Sequence, residues 1–435
     1  MTVLGAIFLG VFILAVGIDG RRGLIFGVAL SVPFYASAMF VVGDFAVPPF
    51  YVGIIFYVAL SIMRLGVRSV FGRNASPKML IVYCLLITVS APYLFGNVEV
   101  LAAGAGLDAR ASGLEPLTLS LSNLAQFAYL TLNLLLLQLN ESDKYVNVRS
   151  VSVALGLGVA VGVFAYLLGP AWPQDLFDNN PRNFYVDSLE RSRAPFAEPS
   201  QMGGFAIAAL PFFAIAVLRA KKWPQLLSAM VLAVSSAFLL IISYSGTAIV
   251  GGALGAIVVL MVGIVRVVGT RVRIAPVAML GGIAAVGAGI ALLPMTVNVL
   301  ARVISEKQGT TSEVSRGYAD AHGFNLLLQT DLLGAGLGSN RTSSMLSLLL
   351  SNIGIIGFGL FMVIVFTAAR RSLSDSSRWS SLVALTFLLS ASFLSLANFA
   401  SPVLWILLVA CWPNRGSSAG NNKAAVHTRI QSTTP

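Results

Sequence analysis

Repeated apolar runs of roughly the twenty residues a membrane-crossing helix needs, joined by short basic segments, constrain this chain more than any other feature. Inside a bilayer every backbone N–H and C=O must be satisfied within the chain, so runs of this length fold as helices. Candidate spans are Thr2–Gly17, Gly23–Val42, Ala46–Met63, Met79–Phe95, Pro116–Gln138, Val151–Leu168, Gln201–Leu218, Gln225–Ser243, Thr247–Val265, Ile274–Leu293, Ser344–Ala369, Ser380–Ser395 and Pro402–Trp412. The last two are short and share the turn Asn398-Phe399-Ala400-Ser401-Pro402, which predicts a hairpin. The expectation is an all-α polytopic membrane protein of about 13 transmembrane helices. It forms one integral membrane domain over 1–412, followed by a small, polar, disordered cytoplasmic tail over 413–435.

Composition excludes the soluble alternatives. The chain is 57% hydrophobic and 10% charged, where soluble proteins carry roughly 25% charged residues. Its mean hydropathy is +0.86 over 435 residues. A net charge of +11 does not point to nucleic acid, because the basic residues sit in the short loops, where they set membrane orientation. Cys84 and Cys411 both lie inside apolar runs, so no disulfide framework is expected. No basic stretch precedes the first run, and Arg21-Arg22 follow it, so it reads as a retained helix and not a cleaved signal.

With Arg21-Arg22 in the cytoplasm and the spans alternating, 20 of the 28 basic residues fall on the cytoplasmic side, with four acids. The other eight are Arg110, Arg182, Arg191, Arg193, Arg302, Lys307, Arg316 and Arg341. Except for Arg110 in Gly96–Glu115, they fall in two long outer loops, Gly169–Ser200 and Pro294–Ser343. Long loops of this kind are usually functional. Arg110, Arg182 and Arg302 are expected to be surface residues.

Three stretches carry the candidate chemistry. Arg193 stands just before Glu198-Pro199-Ser200, where Ser200 is placed to cap the next helix and turn its positive end toward the same surface. The plainer alternative is an Arg193–Glu198 surface pair. Ser312-Glu313 mark a helix start ahead of Arg316, Asp320 and His322; an i,i+4 Arg316–Asp320 pair is the plainer reading there. His322 is the one histidine outside the tail, and imidazole can transfer protons near neutrality. Finally, glycines 334, 336 and 338 lead into Asn340, Arg341 and Ser343. Alternating glycines let amides approach a ligand, and a guanidinium fork suits phosphate. Its plainer reading is a loop between packed helices with Arg341 snorkelling.

The spans themselves carry no Asp, Glu, Lys, Arg or His near their centres, unlike ion-coupled transporters. Ser122, Gln126, Tyr129 and Asn133 form one stripe on the fifth span, which interhelical hydrogen bonding explains. The outer loops offer one histidine and scattered carboxylates, a poor zinc set, so neither metal nor cofactor is expected.

An arginine before Glu-Pro-Ser, a second arginine, then a glycine turn leading to Ser351-Asn352-Ile353-Gly354-Ile355-Ile356-Gly357 resembles the bacterial O-antigen polymerase and O-antigen ligase superfamily. Ser339-Asn340-Arg341 and the serines after it are most similar to exopolysaccharide polymerases of that group. Arg193 is also followed, after ten residues, by Gly204, which resembles a polymerase loop signature. The likeness covers the last two-thirds of the chain; the first four spans match only in hydropathy.

The resemblance implies a glycosyltransferase C-type fold that polymerises repeat units at the outer face of the bacterial inner membrane. Its implied partners are an undecaprenyl-diphosphate-linked oligosaccharide donor and acceptor, membrane lipid and a chain-length regulator protein. Metal-independent diphosphate binding would fall on Arg193 and Arg316, and more loosely on Arg341. Glu198 or His322 would take the acceptor proton. Ser200, Gly336, Gly338, Asn340 and Ser343 would line the substrate. Where ligases carry His-Asn, this chain has Ser343-Ser344, and where many carry Ser-Arg it has Ser245-Gly246-Thr247. A ligase, or a flippase of lipid-linked sugars, is the alternative.

Overall fold

The computed structural model describes residues 1–43, 45–67, 74–101, 113–181, 192–193, 195–270 and 311–412. The expected span Ile274–Leu293, the tail, and Arg110, Arg182, Arg191, Arg302 and Lys307 lie outside these residues. In chain order the helices are α1 (Val3–Ser31), α2 (Pro49–Leu65), α3 (Ala75–Leu94), α4 (Leu121–Asp143), α5 (Val148–Leu168) and the one-turn α6 (Gln174–Phe177). Then come α7 (Pro199–Arg219), α8 (Trp223–Ile242), α9 (Gly246–Thr270), α10 (Thr311–Gln329), α11 (Met345–Ser374), α12 (Trp379–Ser395) and α13 (Pro402–Cys411). Among the described residues eight are long and apolar enough to cross a membrane: α1, α3, α5, α7, α8, α9, α11 and α12. The protein is a mostly helical, polytopic membrane protein.

Helix α1 is two arms. Asp19 and Gly20 leave helical geometry, Gly20 at φ +54°, and the second arm returns along the first. A Cβ at Gly23 would collide with the Ala15 carbonyl, and one at Gly27 with the Phe12 ring. The Thr2 hydroxyl donates to the Ala38 carbonyl at 2.7 Å, closing the open end of the hairpin. The arms fall in the first two predicted runs, the second arm ending at Ser31, well before the predicted end at Val42.

Two small antiparallel hairpins correct the span boundaries. Strands β1 (Phe40–Val42) and β2 (Phe45–Val47) take residues from the ends of the second and third runs. Strands β3 (Glu99–Val100) and β4 (Glu115–Pro116) pair before α4, which begins only at Leu121. The reason is local: Ser120 and Asn123 form a capping box, so Ser120 ends the extended segment.

Short α13 is the post of the bundle. All ten of its residues are buried, Trp405 completely, and α4, α5, α11 and α12 pack around it. A helix apolar all round belongs in such a position. The basic-side ends meet in a buried ion pair, Arg21 with Asp143, and Tyr57 Oη donates to the same carboxylate at 2.6 Å. At the opposite end Tyr51 Oη donates to the Ala400 carbonyl at 2.5 Å. Both contacts join segments that the alternation of spans assigns to the same side.

Candidate active site

The site is built on a broken helix. Gly354, at φ +61°, interrupts α11 and would leave carbonyls of the first half and amides of the second without partners. The glycine turn supplies them. Ala335 N and Gly336 N donate to the Ser351 and Asn352 carbonyls at 2.8 and 2.9 Å, and Ile355 N donates to the Leu332 carbonyl at 3.0 Å. Gly334, Gly336 and Gly338 all have φ between +79° and +94°, where other residues are strained. At 338 space is short as well, since a Cβ would stand 2.9 Å from Gln126 Cγ on α4.

Asn340 secures the end of this turn. Its amide donates to Asn352 Oδ1 and Asn352 Nδ2 donates to its carbonyl, both at 3.0 Å. The Asn340 Oδ1 accepts from Leu101 N at 3.0 Å, and Arg341 N donates to the Leu101 carbonyl at 2.9 Å. The Gly336 amide and the Asn340 polar groups are therefore engaged with protein, and they shape the turn that presents Arg341. Asp320 caps the next segment, with Oδ1 accepting from Ser343 N at 2.8 Å and Ser344 N at 3.0 Å.

Beyond Arg341 opens a polar cavity of about 470 Å³. Its wall brings together Arg316, Arg341, Glu198, Ser200 and Ser343, five of the ten residues the sequence singles out. Arg316 comes from α10, Glu198 and Ser200 from the start of α7, and Ser395 to Asn398 from the end of α12. Arg316 Nη1 donates to Ser395 Oγ at 3.1 Å, and its Nη2 lies 4.0 Å from Glu198 Oε2. Burial pulls the pKa of the Arg341 guanidinium down, and the Glu198 carboxylate pulls it back up. Opposite stands Tyr35, whose phenol accepts from Asn398 Nδ2. Burial, reinforced by the Glu198 charge, pushes that phenol up to about 12, so it remains a donor at neutral pH. The Ser200 hydroxyl is buried with no partner among the described residues.

Three local expectations are corrected. Ser200 does not cap α7: the helix starts at Pro199, with Glu198 at the N-cap position, which places that carboxylate at the helix's positive end. Arg316 does not pair with Asp320, whose oxygen is taken by the Ser343 and Ser344 amides just before α11. Arg193 pairs with Asp178, Nη2 to Oδ2 at 2.5 Å, and not with Glu198. The Arg193 side chain is only 7% exposed and does not line the cavity. His322 also stands off the wall, half-buried on α10 beside Tyr318 and held by the Glu99 backbone.

Gly338 and Asn340 reach a second chamber, which meets the main cavity at Gln126, Arg341, Thr342, Ala397 and Asn398. Sequence reasoning missed Tyr35, Ser395 and Asn398: Ser395 is the last residue of α12, and Tyr35 and Asn398 lie in short connections with no motif. It assigned Ser122 and Gln126 to packing, although polar residues spaced four apart on an apolar helix were the available signal. Among the described residues no three His, Cys, Asp or Glu side chains gather as a metal site. No family model and no curated protein sequence matches the chain.

Proposed function

We propose that this protein polymerises undecaprenyl-diphosphate-linked oligosaccharide repeat units by inverting glycosyl transfer, without a metal, at the outer face of a bacterial inner membrane. One observation carries this reading: two arginines from different segments, Arg316 and Arg341, share one polar cavity with Glu198, the one carboxylate among the described residues that line it. The acceptor hydroxyl attacks the anomeric carbon as its bond to the diphosphate oxygen breaks, and the hydroxyl proton passes to Glu198. The lipid diphosphate leaves with its negative charge held by the two guanidiniums and the positive end of α7. Glu198 is favoured over His322 because it stands in the cavity and His322 does not.

The orientation has support of its own. Helices α7, α11 and α12 present the cavity at one end, and Arg219, Arg370, Arg371 and Arg378 at the other. Such a basic rim favours the cytoplasmic side. About thirteen crossings in a C-type glycosyltransferase arrangement would comprise the two arms of α1, α2 to α5, α7 to α9, the Ile274–Leu293 run and α11 to α13.

The test is turnover of purified lipid-linked repeat unit, read as a polymer ladder. Arg316→Ala and Arg341→Ala should each lose more than about tenfold in rate, the scale of one lost charge-assisted contact. Lysine should rescue little, because it lacks the fork. Near wild-type ladders from both alanine variants would overturn the reading. A single addition to a non-repeat acceptor would make the protein a ligase.

A further inference from the structure

The second chamber has a composition of its own. It holds about 200 Å³ between α4 and the glycine turn, and joins the arginine cavity at a neck formed by Gln126, Arg341 and Asn398. A space of this size accommodates one sugar ring.

Its polar groups divide sharply. Asn340 and Asn352, on the turn side, bond to each other and to neighbouring backbone. On the α4 side, Ser122 and Gln126 line the chamber, and the Ser122 hydroxyl and the Gln126 amide make no hydrogen bond among the described residues. The stripe on α4 thus has two halves. Lower down, Tyr129 Oη donates to the Ala46 carbonyl on β2 at 3.2 Å and Asn133 Nδ2 donates to Tyr51 Oη on α2 at 3.2 Å, so that half packs against neighbouring elements. The upper half has no such partner to satisfy it.

Arg341, Thr342 and Asn398 stand at the neck, and the rest of the wall is apolar, formed by Leu337, Leu348, Leu349, Ala397 and Phe399. Phe399 stands edge-on to Phe361, with centroids 5.1 Å apart and planes at 87°, and packs against Trp405 at 5.6 Å. The Gln126 amide, with both donor and acceptor, and the Ser122 hydroxyl beside an apolar wall match a pyranose, whose C–H groups meet the apolar side chains and whose vicinal hydroxyls meet Gln126. An anion would find its charge partner, Arg341, only at the neck. A purely apolar ligand would bury the amide unpaired, at a cost.

The geometry points to this chamber as a subsite for one sugar ring of the substrate, with Gln126 and Ser122 as its specificity-determining residues. The assignment rests on the glycosyltransferase reading above. It places a ring beside the diphosphate cavity, with Arg341 between the two.

Two probes separate this claim from that reading: an oligosaccharide released by mild hydrolysis of the producing cell's own surface polysaccharide, and sugar-free undecaprenyl diphosphate. Binding of each is measured on the full-length protein in detergent, for wild type, Gln126→Leu and Ser122→Phe. The expected result is at least tenfold weaker oligosaccharide binding by both variants, with undecaprenyl diphosphate binding unchanged in Ser122→Phe, whose residue lines the chamber and not the arginine cavity, and retained in Gln126→Leu, which shows that the variants are folded. A site built to hydrogen-bond hydroxyls discriminates on that scale or beyond. Wild-type-like oligosaccharide binding by both variants would overturn the subsite, as would no oligosaccharide binding by wild type up to millimolar concentration. Absence of undecaprenyl diphosphate binding in wild type would instead count against the diphosphate reading, and with it the subsite's role in catalysis.

Discussion

Arg193 and Arg316 look equivalent in the sequence, each an arginine in a long outer loop near a helix start, yet they occupy opposite environments. Arg193 is 7% exposed and closes on Asp178 at 2.5 Å, with Nη1 also donating to the Ala197 carbonyl at 3.4 Å. Asp178 belongs to a segment already docked on the α1 hairpin, where Asn179 Oδ1 accepts from Ala38 N at 2.6 Å and Ser37 Oγ donates to the Phe177 carbonyl at 2.5 Å. Arg193 therefore ties that segment to the entry of α7. Arg316 is 41% exposed, with its carboxylate 4.0 Å away across a cavity. Burial and pair length, more than residue type, separate a structural arginine from one placed to receive an anion.

The largest expected effect follows from that contrast. Removing one member of a buried ion pair strands the other, so Arg193→Ala should cost about 3 kcal/mol, near the low end for such pairs because Asp178 keeps 21% exposure. Arg316→Ala should cost under about 0.5 kcal/mol of stability, as solvated pairs at long range do. Unfolding in detergent, read beside polymer turnover, checks both. If Arg193→Ala were fully stable but inactive, the two arginines would belong to one clamp and the contrast would fall.

Much of this was legible in hydropathy and charge, because a bilayer admits few folds. The returning arms of α1 show in the apolar runs on either side of Asp19-Gly20, and the α12–α13 hairpin shows in the Asn398–Pro402 turn. The break in α11 was not legible. Gly354 in an apolar helix reads as packing, and only the turn at 334–336, about twenty residues earlier in the chain, supplies the partners that make a break tolerable. The pairing of Arg193 was equally hidden, since Asp178, Asp187, Glu190 and Glu198 were all within reach along the chain. The α4 stripe misled for a related reason. Its two halves are chemically alike, and only tertiary structure shows that one half has partners.

A smaller effect sharpens the contrast on α10 itself. Asp320 stands one turn from Arg316, the spacing of a helical ion pair, but it caps the α11 segment. Asp320→Ala should therefore cost about 1 kcal/mol, the scale of a lost N-terminal cap. It should also lower turnover indirectly, because the Arg341–Ser343 turn loosens. Arg316→Ala in the Asp320→Ala background should add its full separate effect on turnover. Equal turnover in the double variant and either single variant would mean that the two act as one unit.

The smallest effect concerns His322, on the same helix as Arg316 but turned toward Glu99. Burial lowers its pKa below the ordinary 6.5 and outweighs the Glu99 backbone bond and the Glu99 charge, which push it up. The folded state therefore prefers neutral imidazole, and the unfolded chain binds the extra proton first as pH falls. His322's contribution to stability should be complete above pH 6.5 and should decline as pH drops below it toward the depressed folded value. His322→Gln, which cannot take that proton, should flatten this part of the unfolding profile in detergent. Because the ring stands off the cavity wall, the same variant should keep turnover within about threefold of wild type, less than the tenfold scale set for a lost contact to the reacting groups. A loss of a hundredfold or more, with the acidic limb of the rate profile removed, would place the proton acceptor at His322 and take that role from Glu198.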